Sequence, residues 1–388
     1  MRGEKFGGAG GRGTKSAIQP DIRVDYVCHT DGIRLRYTAL PLPRAPCGII
    51  QAADFAIGVQ AMSKLVTIYG GSGFVGRYIA RRMAQSGWRV RVAVRRPNEA
   101  LFVKTFGSVG QVEPILCNIR NDLSVSAAMK GADAVVNCVG TFDRGGKNNF
   151  DAVQHLAAGR IAALAAQEKV GALVHISAIG ADVEGASLYA RSKGAGEAAV
   201  LAAYPKALIL RPSVIFGPED QFFNRFAGMT KMSPILPVVG ADTLFQPVYV
   251  DDVAQAAVSG ILNNSKGIYE LGGPEVASFA SLMHKMLGVI QRRRWVANVP
   301  FFAARIMAAG LDFAAFITGG LFANGILTRD QVASLRSPNV VAKGAKGLVD
   351  LGVTPTQMDT VLPEYLWPFR PAGQYAAIKN SAKNLKKN

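Results

Sequence analysis

The sequence predicts an α/β fold: a doubly wound parallel sheet followed by a smaller, mainly helical C-terminal region. Between residues 64 and 212, short runs rich in β-branched residues alternate with segments whose apolar residues recur at helical spacing. The short runs are almost continuously apolar, as expected of strands covered by helices on both faces of a parallel sheet. The first run ends in a glycine-rich turn that opens the first helical segment. These three observations together predict the fold class.

Six strands are predicted in the N-terminal half of the chain. They are KLVTIY (64–69), WRVRVAV (88–94), VEPILC (112–117), DAVVNCVG (133–140), ALVHISA (172–178) and KALILRP (206–212). The predicted helices between them are 75–86, 122–130, 149–168 and 188–203. Helical connections of this length allow consecutive strands to lie parallel in one sheet.

The pattern is looser after residue 212, where several prolines interrupt it. FQPVYVDDVAQAAVSGIL (245–262) predicts a strand end that leads into a helix, with Asp251 or Asp252 as its N-cap. GIYELGG (267–273) predicts another short strand, and FASLMHKMLGVI (279–290) predicts another helix. We therefore expect a smaller region that is built largely from loops and helices.

The composition narrows the classes of partner. The chain has 388 residues and a formal net charge of +17, which favours a phosphate-bearing ligand, a nucleic acid or a membrane surface. It has no basic patch interleaved with aromatic residues, so nucleic-acid binding is not expected. Its cysteines, Cys28, Cys47, Cys117 and Cys138, form no CxxC pair. We expect reduced thiols, and neither a disulfide nor a metal site.

The glycine-rich turn lies within LVTIYGGSGFVGRYIARRM (65–83), with glycines at 70, 73 and 76. Gly70 allows the tight turn, Gly73 lets the main chain approach a pyrophosphate, and Gly76 lets the helix pack closely on the strand. The free N–H groups at the start of the helix attract phosphate. Because the turn follows a strand and opens a helix, it predicts a Rossmann-like dinucleotide site.

The end of the second strand indicates which dinucleotide is preferred. Sites that prefer NAD(H) place an acidic residue there to accept hydrogen bonds from the adenosine ribose. This chain has Arg95 and Arg96 instead, and its next carboxylate is Glu99. A guanidinium pair suits a 2′-phosphate, so NADP(H) is predicted over NAD(H). The alternative is a solvated basic loop with no ligand.

The candidate catalytic residues lie in HISAIGADVEGASLYARSK (175–193). Ser177 ends a strand, Tyr189 follows twelve residues later, and Lys193 is one helical turn beyond Tyr189. The ammonium of Lys193 is expected to lower the pKa of the phenol, which would exchange a proton with a carbonyl or alcohol while Ser177 orients that oxygen. The alternative is that Tyr189 and Lys193 only anchor the cofactor.

Four motifs occur in the order found in the short-chain dehydrogenase/reductase superfamily, and the chain resembles its extended or atypical branch. They are GGSGFVG, NCVG, YARSK and RPSVIFGPED. IFGPEDQFFNRFAGM and LFQPVYVDDVAQA resemble, more narrowly, the family of nucleotide-binding accessory subunits of respiratory complex I and their bacterial relatives. The resemblance extends from about Met62 to about Pro368.

The resemblance implies a tightly held NADPH and a C-terminal part that packs on the complex near the membrane. Gly70, Gly73, Phe74 and Val75 would contact the pyrophosphate, and Arg95 the 2′-phosphate. Asn118 and Ile119 would lie near adenine, Val139 and Gly140 beneath the cofactor, Tyr189 and Lys193 at the nicotinamide ribose, and Pro212, Val214 and Ile215 beside the nicotinamide. The family is thought to hold its cofactor without turning over a substrate.

Four segments follow from these predictions. Residues 1–61 are a glycine- and proline-rich leader of low order, or lie upstream of a true start at Met62. Residues 62–212 form the NADP(H)-binding Rossmann domain, whose extended core continues to about residue 280. Residues 213–368 form the C-terminal region that docks a substrate or partner, and residues 369–388 are a basic tail.

Three functions remain open from the sequence. They are an NADPH-holding accessory or assembly subunit of complex I, a free NADP(H)-dependent reductase, dehydrogenase or epimerase, and a nucleotide-sensing module that regulates through protein contact. The apolar stretch 301–326 beside RRRW favours the first, because such a segment suits a membrane surface or an apolar partner. The expected location is then peripheral, on the cytoplasmic side of the bacterial inner membrane or the matrix side in mitochondria.

Overall fold

The computed structural model describes residues 63–141, 145–306 and 329–375. The predicted leader 1–61, most of the apolar stretch 301–326 and most of the basic tail lie outside these residues.

The described strands are numbered in chain order. They are β1 (Leu65–Tyr69), β2 (Arg89–Val94), β3 (Val112–Leu116), β4 (Ala134–Asn137), β5 (Ala172–Ile176), β6 (Leu208–Pro212), β7 (Ile215–Phe216), β8 (Ile235–Val239), β9 (Leu244–Phe245), β10 (Val248–Tyr249), β11 (Gly267–Leu271), β12 (Ala277–Ser278) and β13 (Trp295–Val299). The six strands predicted in the N-terminal half correspond to β1–β6, and the predicted GIYELGG strand corresponds to β11.

The α-helices are numbered in the same way. They are α1 (Phe74–Gln85), α2 (Asp122–Met129), α3 (Ala157–Gln167), α4 (Leu188–Ala203), α5 (Phe223–Met232), α6 (Val250–Leu262), α7 (Phe279–Val289), α8 (Arg329–Ser334) and α9 (Met358–Leu366). A π-helical segment, Asp151–Leu156, leads directly into α3. Residues 301–306 are also helical.

Seven parallel strands form the central sheet, in the order β11-β6-β5-β4-β1-β2-β3. The chain first moves outward from β1 to β3 and then returns to the other side of β1 with β4. The crevice beyond the carboxyl ends of β1 and β4 is therefore the topological switch point, where doubly wound sheets bind their ligands. The predicted doubly wound parallel sheet is confirmed.

Strand β1 is buried on both faces, as its continuous apolar sequence predicts. Val66 and Ile68 pack in an apolar cluster with α1 and α6, whereas Leu65 and Tyr69 pack with α2, α3 and α4 on the opposite face. The buried hydroxyl of Tyr69 donates a 2.7 Å hydrogen bond to the carbonyl of Val125. The two helical layers thus fix β1, and with it the position of the glycine turn that follows.

The C-terminal region has its own apolar core, made of α5, α7, α9 and three two-stranded sheets. Phe222 stacks on Phe279 with ring centroids 5.5 Å apart, and Phe226 and Phe245 meet the same ring edge to face. Aromatic pairs of this geometry contribute beyond their buried area. The smaller, mainly helical region that the sequence predicts is therefore built around an aromatic core beside the sheet.

The predicted cap of the helix after residue 249 is wrong. Helix α6 begins at Val250 with Tyr249 as its N-cap residue, and no side chain caps it. Asp251 instead forms an ion pair with Arg82 of α1, with Nε and Oδ1 2.6 Å apart. Asp252 accepts hydrogen bonds from Thr356. Both carboxylates join distant elements, which a local capping pattern does not reveal.

Candidate cofactor-binding site

The glycine turn lies at the switch point and leaves no space for side chains. Gly70 has a φ of +74°, a region that favours glycine. A Cβ on Gly76 would lie 2.4 Å from the carbonyl oxygen of Gly70 and 2.7 Å from the Cα of Gly71. Gly73 is the N-cap residue of α1 and has no side-chain cap, so the first N–H groups of this helix face the crevice for a ligand. The turn fits a dinucleotide pyrophosphate.

Phe74 and Val75 form the first turn of α1, directly after Gly73. The ring of Phe74 lies against Gly217, where an added Cβ would be 3.4 Å from the ring. Val75 is partly buried against the core cluster of β1. Both residues are predicted to contact the pyrophosphate. Val75 packs against the core of the sheet, and Phe74 packs against Gly217 of the C-terminal region.

The two arginines after β2 differ in their surroundings. Arg95 and Arg96 are both exposed, but Arg96 forms an ion pair with Glu99, with Nη1 and Oε1 3.0 Å apart. Exposed pairs of this kind contribute little to stability. Arg96 can thus leave Glu99 at small cost to bind an incoming phosphate.

The residues after β3 are arranged as a polar turn. Asn118 is exposed, and its Oδ1 accepts a hydrogen bond from the main-chain N–H of Arg120 at 3.2 Å. Ile119 is partly buried against the core of the sheet. The turn therefore uses the Oδ1 of Asn118 and also its main-chain N–H, which donates to the hydroxyl of Ser124 at 2.9 Å. The exposed Nδ2 of Asn118 remains able to donate at the sheet edge where adenine is expected.

A buried hydrogen-bond chain supports the end of β4. Asn137 accepts from the main-chain N–H of Val139 at 3.1 Å and contacts Nδ1 of His175, also at 3.1 Å. His175 is buried, and burial, followed by the charge of Lys193, lowers its pKa to about 3. The imidazole is therefore neutral at physiological pH. Gly140, one residue further, has no atom of the described residues within 4 Å of an added Cβ, so these residues leave the crevice open there.

Ser177 and Lys193 meet at the end of β5. The Nζ of Lys193 donates a 3.1 Å hydrogen bond to the carbonyl of Ile176, the residue before Ser177. Among the described residues, the buried Oγ of Ser177 has no hydrogen-bond partner. Tyr189 lies one helical turn before Lys193, and its ring packs edge to face on Phe150. The three predicted residues thus come from one strand end and one helix.

The expected effect of Lys193 on the phenol is not found. Burial raises the pKa of Tyr189 to about 12 and lowers the pKa of Lys193 to about 8. The loss of solvation is the cause of the shift at Tyr189 and the largest cause at Lys193. Burial likewise raises the pKa of the Cys138 thiol to about 12, and both described cysteines, Cys117 and Cys138, are free.

The predicted nicotinamide wall is fixed by a residue that the sequence analysis missed. Pro212 ends β6 and is buried, while Val214 and Ile215 are partly buried. The side chain of Asn339 accepts hydrogen bonds from the main-chain N–H of Val214 at 3.1 Å and from the hydroxyl of Ser213 at 2.6 Å. More than 120 residues separate these partners, so no local pattern could have indicated the contact.

Two further polar side chains were missed. Gln154, in the π-helical segment, donates to the carbonyl of Thr141 at 2.6 Å and accepts from the hydroxyl of Ser192 at 2.8 Å. It therefore joins the loop after Gly140 to the helix of Lys193. Asp330 accepts hydrogen bonds at the start of the same helix. Neither contact leaves a signal in the sequence, although in the structure Gln154 lies in a π-helical turn, and such turns often occur at functional sites.

Comparison with known sequences identifies the family. The sequence model of the NAD dependent epimerase/dehydratase family matches residues 66–272, which include every strand of the central sheet. The chain belongs to this family. The resemblance to extended short-chain dehydrogenase/reductases is thereby confirmed.

Among the described residues, no cluster of His, Cys, Asp and Glu could hold a metal ion.

Similar proteins include subunits of a respiratory enzyme. NADH dehydrogenase (ubiquinone) 1 alpha subcomplex subunit 9 of Arabidopsis thaliana is 33% identical over 325 residues, which are 81% of this chain and 81% of the relative. The subunit of the same name in Mus musculus is 28% identical over 311 residues, 78% of this chain and 80% of the relative. A ceramide reductase of Caulobacter vibrioides is 34% identical over 207 residues, 53% of this chain and 64% of the relative.

Solved structures show the same fold at low sequence identity. UDP-glucose 4-epimerase of Thermus thermophilus in complex with NAD is 19% identical with a TM-score of 0.57, and 79% of this chain matches 99% of that one. MoeE5 in complex with UDP-glucose and NAD is 18% identical with a TM-score of 0.58, and 82% of this chain matches 99% of that one. These matches support the fold.

Proposed function

We propose that this protein is an accessory or assembly subunit of respiratory complex I that holds a nicotinamide dinucleotide mainly as a structural group. The observation that carries the proposal is the 33% identity to the Arabidopsis thaliana complex I subunit over 81% of both chains. Relatives with the same name or role occur in Dictyostelium discoideum, Neurospora crassa and Mus musculus. A match that covers 81% of this chain must extend into the C-terminal region, which favours a shared partner as well as a shared fold.

The proposed cofactor is NADP(H), with NAD(H) as the less favoured choice. The glycine turn would hold the pyrophosphate, Arg95 and Arg96 the 2′-phosphate, and Tyr189 and Lys193 the nicotinamide ribose. When bound, the nicotinamide would supply hydride chemistry. The chain's own residues bind and orient the dinucleotide: main-chain N–H groups at the start of α1 face its phosphates, and the cationic Lys193 faces its ribose.

The titration behaviour of the site favours anchoring over turnover. A general acid or base works best when its pKa lies near the working pH, whereas burial raises the pKa of Tyr189 to about 12. With a pKa lowered to about 8, Lys193 stays mostly protonated at neutral pH. A neutral phenol beside an ammonium is well suited to hydrogen-bond a ribose diol.

The C-terminal region presents an apolar surface where a partner or membrane is expected. Trp295 and Ile235 are register partners in adjacent strands, and both are exposed. Met232, Phe302 and Ile306 are exposed by 93%, 69% and 71%. Large exposed apolar side chains that lie together, as Trp295 and Ile235 do, mark interaction surfaces in soluble domains. Phe302 and Ile306 belong to the apolar stretch 301–326, most of which lies outside the described residues.

Two of the three arginines of RRRW are already hydrogen-bonded to main-chain carbonyls. Arg292 donates to the carbonyl of Phe369 at 2.7 Å, and Arg294 donates to the carbonyl of Thr230 at 3.0 Å. Arg293 is exposed. Direct contact with a lipid phosphate would therefore fall mainly to Arg293, while the net charge of +17, to which all three arginines contribute, adds long-range attraction. Among the described residues, no helix has the length and hydropathy needed to span a membrane.

The proposed location is peripheral, on the side of the membrane that faces NADH. This is the cytoplasmic side of a bacterial inner membrane, or the matrix side in mitochondria. After gentle cell breakage, the protein is expected to sediment with membranes and to comigrate with complex I on native gels after mild detergent extraction. Moderate salt should release it only in part, because apolar contact is not screened. Recovery wholly in the soluble fraction, with no complex I subunit in a pull-down, would contradict the subunit proposal.

Matched variants sharpen this test. Trp295→Ser with Phe302→Ser should release the protein from membranes, because it removes two exposed apolar side chains of the proposed surface. Val109→Ser is the control, since Val109 is fully exposed but lies in the loop before β3. Equal release by both variants would show that the surface around Trp295 has no special role.

Calorimetric titration tests the cofactor. NADPH should bind more tightly than NADH, and Arg95→Ala or Arg96→Ala should remove most of the difference, roughly 1.5–3 kcal/mol for a charge-assisted pair. Arg81→Ala, which removes an exposed arginine of α1, should leave the preference unchanged. Equal affinity of the wild type for both cofactors would overturn the NADP(H) assignment.

A second candidate function is a free NADP(H)-dependent reductase, dehydrogenase or epimerase. The buried Oγ of Ser177, which has no partner among the described residues, is free to orient a substrate oxygen, and one relative is a ceramide reductase. A screen of carbonyl and alcohol substrates separates the two functions. Wild-type turnover that Tyr189→Phe abolishes, with the cofactor still bound, would favour this candidate. Absence of turnover supports the structural role.

A further inference from the structure

The helix that carries Tyr189 and Lys193 is held at its start by a residue from the far end of the chain. The carboxylate of Asp330 accepts hydrogen bonds from the main-chain N–H groups of Leu188 at 2.6 Å and Tyr189 at 3.2 Å. Asp330 is 8% exposed. A carboxylate in this position satisfies free N–H groups and faces the positive end of the helix dipole.

The N-cap residue of α4 does not accept hydrogen bonds from the N–H groups that Asp330 binds. Ser187, the N-cap residue, accepts a hydrogen bond from the N–H of Ala190 at 3.0 Å. The N–H groups of the first two helical residues, Leu188 and Tyr189, therefore need other acceptors. Asp330 supplies both of them from 141 and 142 residues further along the chain.

Asp330 begins a segment that touches the cofactor site at a second place. We call residues 330–342 the C-terminal strap. Nine residues after Asp330, the side chain of Asn339 holds Ser213 and Val214. Between these points, the carbonyl of Leu335 accepts from the hydroxyl of Thr243 at 2.7 Å. The strap thus joins the helix of the proposed ribose contacts to the proposed nicotinamide wall.

We propose that Asp330 is a positioning residue for the nicotinamide-ribose half of the cofactor site. The inference rests on the proposed cofactor binding, because it acts through Tyr189 and Lys193. Asp330 binds the main-chain N–H of Tyr189 directly, so it fixes the first turn of α4 and thereby the direction of the phenol and of the lysine one turn later. By reciprocity, a cofactor that contacts these two side chains stabilises the contact between α4 and the strap.

Paired ligands test the proposal on the full-length protein. NADPH contains the nicotinamide ribose, whereas adenosine 2′,5′-bisphosphate contains only the adenine half. Asp330→Ala is expected to weaken NADPH binding about tenfold, as judged from the usual cost of losing a helix cap, and to change binding of the bisphosphate less than twofold. Asp330→Asn retains an acceptor oxygen and should give an intermediate loss. NADH paired with ADP gives the same comparison if the protein prefers NAD(H).

Asp252→Ala is the matched control. Asp252 is also buried and accepts a main-chain N–H from the C-terminal region, that of Thr356, but it lies on α6. It should lower stability without changing the ratio of the two affinities. Hydrogen exchange in the ligand-free protein should become faster at Leu188 and Tyr189 in Asp330→Ala and not in Asp252→Ala.

The outcomes distinguish the positioning role of Asp330 from the proposed cofactor binding. An equal loss of affinity for both ligands in Asp330→Ala, or no loss for either, would overturn the positioning role. A wild-type protein that binds neither dinucleotide would overturn the proposed cofactor binding itself. In that case, faster exchange at Leu188 and Tyr189 in Asp330→Ala would still report the contact, although its role at a cofactor would be lost.

Discussion

In the central sheet, neighbouring elements are joined by main-chain hydrogen bonds between parallel strands, whereas in the C-terminal region side chains join residues more than 90 positions apart. Tyr365 bonds to Asp220, Thr356 to Asp252 and Thr243 to Leu335. The edge of the sheet carries the glycine turn that is proposed to hold the cofactor phosphates. The C-terminal region fixes Ser213 and Val214, directly after β6, through hydrogen bonds to the side chain of Asn339. This difference predicts that the two regions respond differently to substitution.

The largest effect is expected in the aromatic core of the C-terminal region. Phe279→Ala removes a buried ring that contacts three other phenylalanines and should lower the free energy of unfolding by about 4 kcal/mol. Phe102→Ala in the sheet region is the control, because its ring is 39% exposed. Urea denaturation measures both. Similar losses for the two variants would mean that the C-terminal region has no packed core of its own.

The glycine turn gives the next largest effect. Gly76→Ala brings a Cβ within 2.4 Å of main-chain atoms that cannot move independently of the turn, so we expect a loss of about 3 kcal/mol in unfolding free energy. Nucleotide binding should be lost with it. Gly288→Ala, inside α7 and with no atom of the described part of the chain within 4 Å of the added Cβ, should instead be neutral or stabilising. A normal melting temperature for Gly76→Ala would refute the close packing of α1 on its turn.

Acid should affect the sheet region through His175. The pKa of this buried imidazole is lowered to about 3 in the folded protein, from about 6.5 in an unfolded chain. The unfolded state therefore binds more protons between these values, and stability falls as the pH falls below 6.5. At pH 5 the loss should be about 2 kcal/mol.

His175→Gln isolates this contribution, because it retains an acceptor for Asn137 but does not titrate. The variant should lose less stability than the wild type between pH 7 and pH 5, as measured by urea denaturation at each pH. In the C-terminal region, burial raises the pKa values of Asp220 and Asp252, so these groups oppose acid unfolding. Parallel pH profiles for wild type and variant would rule out the contribution of His175.

The smallest effect is expected from removing a single tyrosine hydroxyl, which can be compared between the two regions. Tyr365 donates to the Asp220 carboxylate and Tyr204 donates to the main-chain carbonyl of Val170, both at 2.7 Å. Because bonds to charged groups are stronger, Tyr365→Phe should cost about 1.5 kcal/mol and Tyr204→Phe about 1 kcal/mol or less. Thermal melts of both variants provide the measurement. A larger loss for Tyr204→Phe would reverse the comparison.

The sequence predicted the parts of the molecule whose structure depends on near neighbours. The six strands of the N-terminal half follow from apolar runs, and the turn at Gly70 and Gly76 follows from steric limits that no other residue meets. The cap of α6 was predicted wrongly, because Asp251 and Asp252 fit a local pattern but bind Arg82 and Thr356.

The sequence predicted the candidate-site residues that lie on neighbouring positions of one strand or one helix, but not those that reach the site from distant parts of the chain. Ser177, Tyr189 and Lys193 follow from spacing along one strand and one helix, but their pKa values depend on burial, which the spacing does not show. Asn339 and Asp330 reach the site through tertiary contacts across more than 120 residues. Such contacts leave no periodic signal in a single sequence.

The position of Asp330 also bears on the order of events during synthesis. The last strand of the central sheet ends at Leu271, so every strand has been made well before the ribosome reaches residue 330. At that stage the sheet can be complete while the first two N–H groups of α4 still lack their acceptor. The nascent chain can therefore complete its sheet first, whereas the start of α4 acquires both of its missing acceptors only after Asp330 has left the exit tunnel.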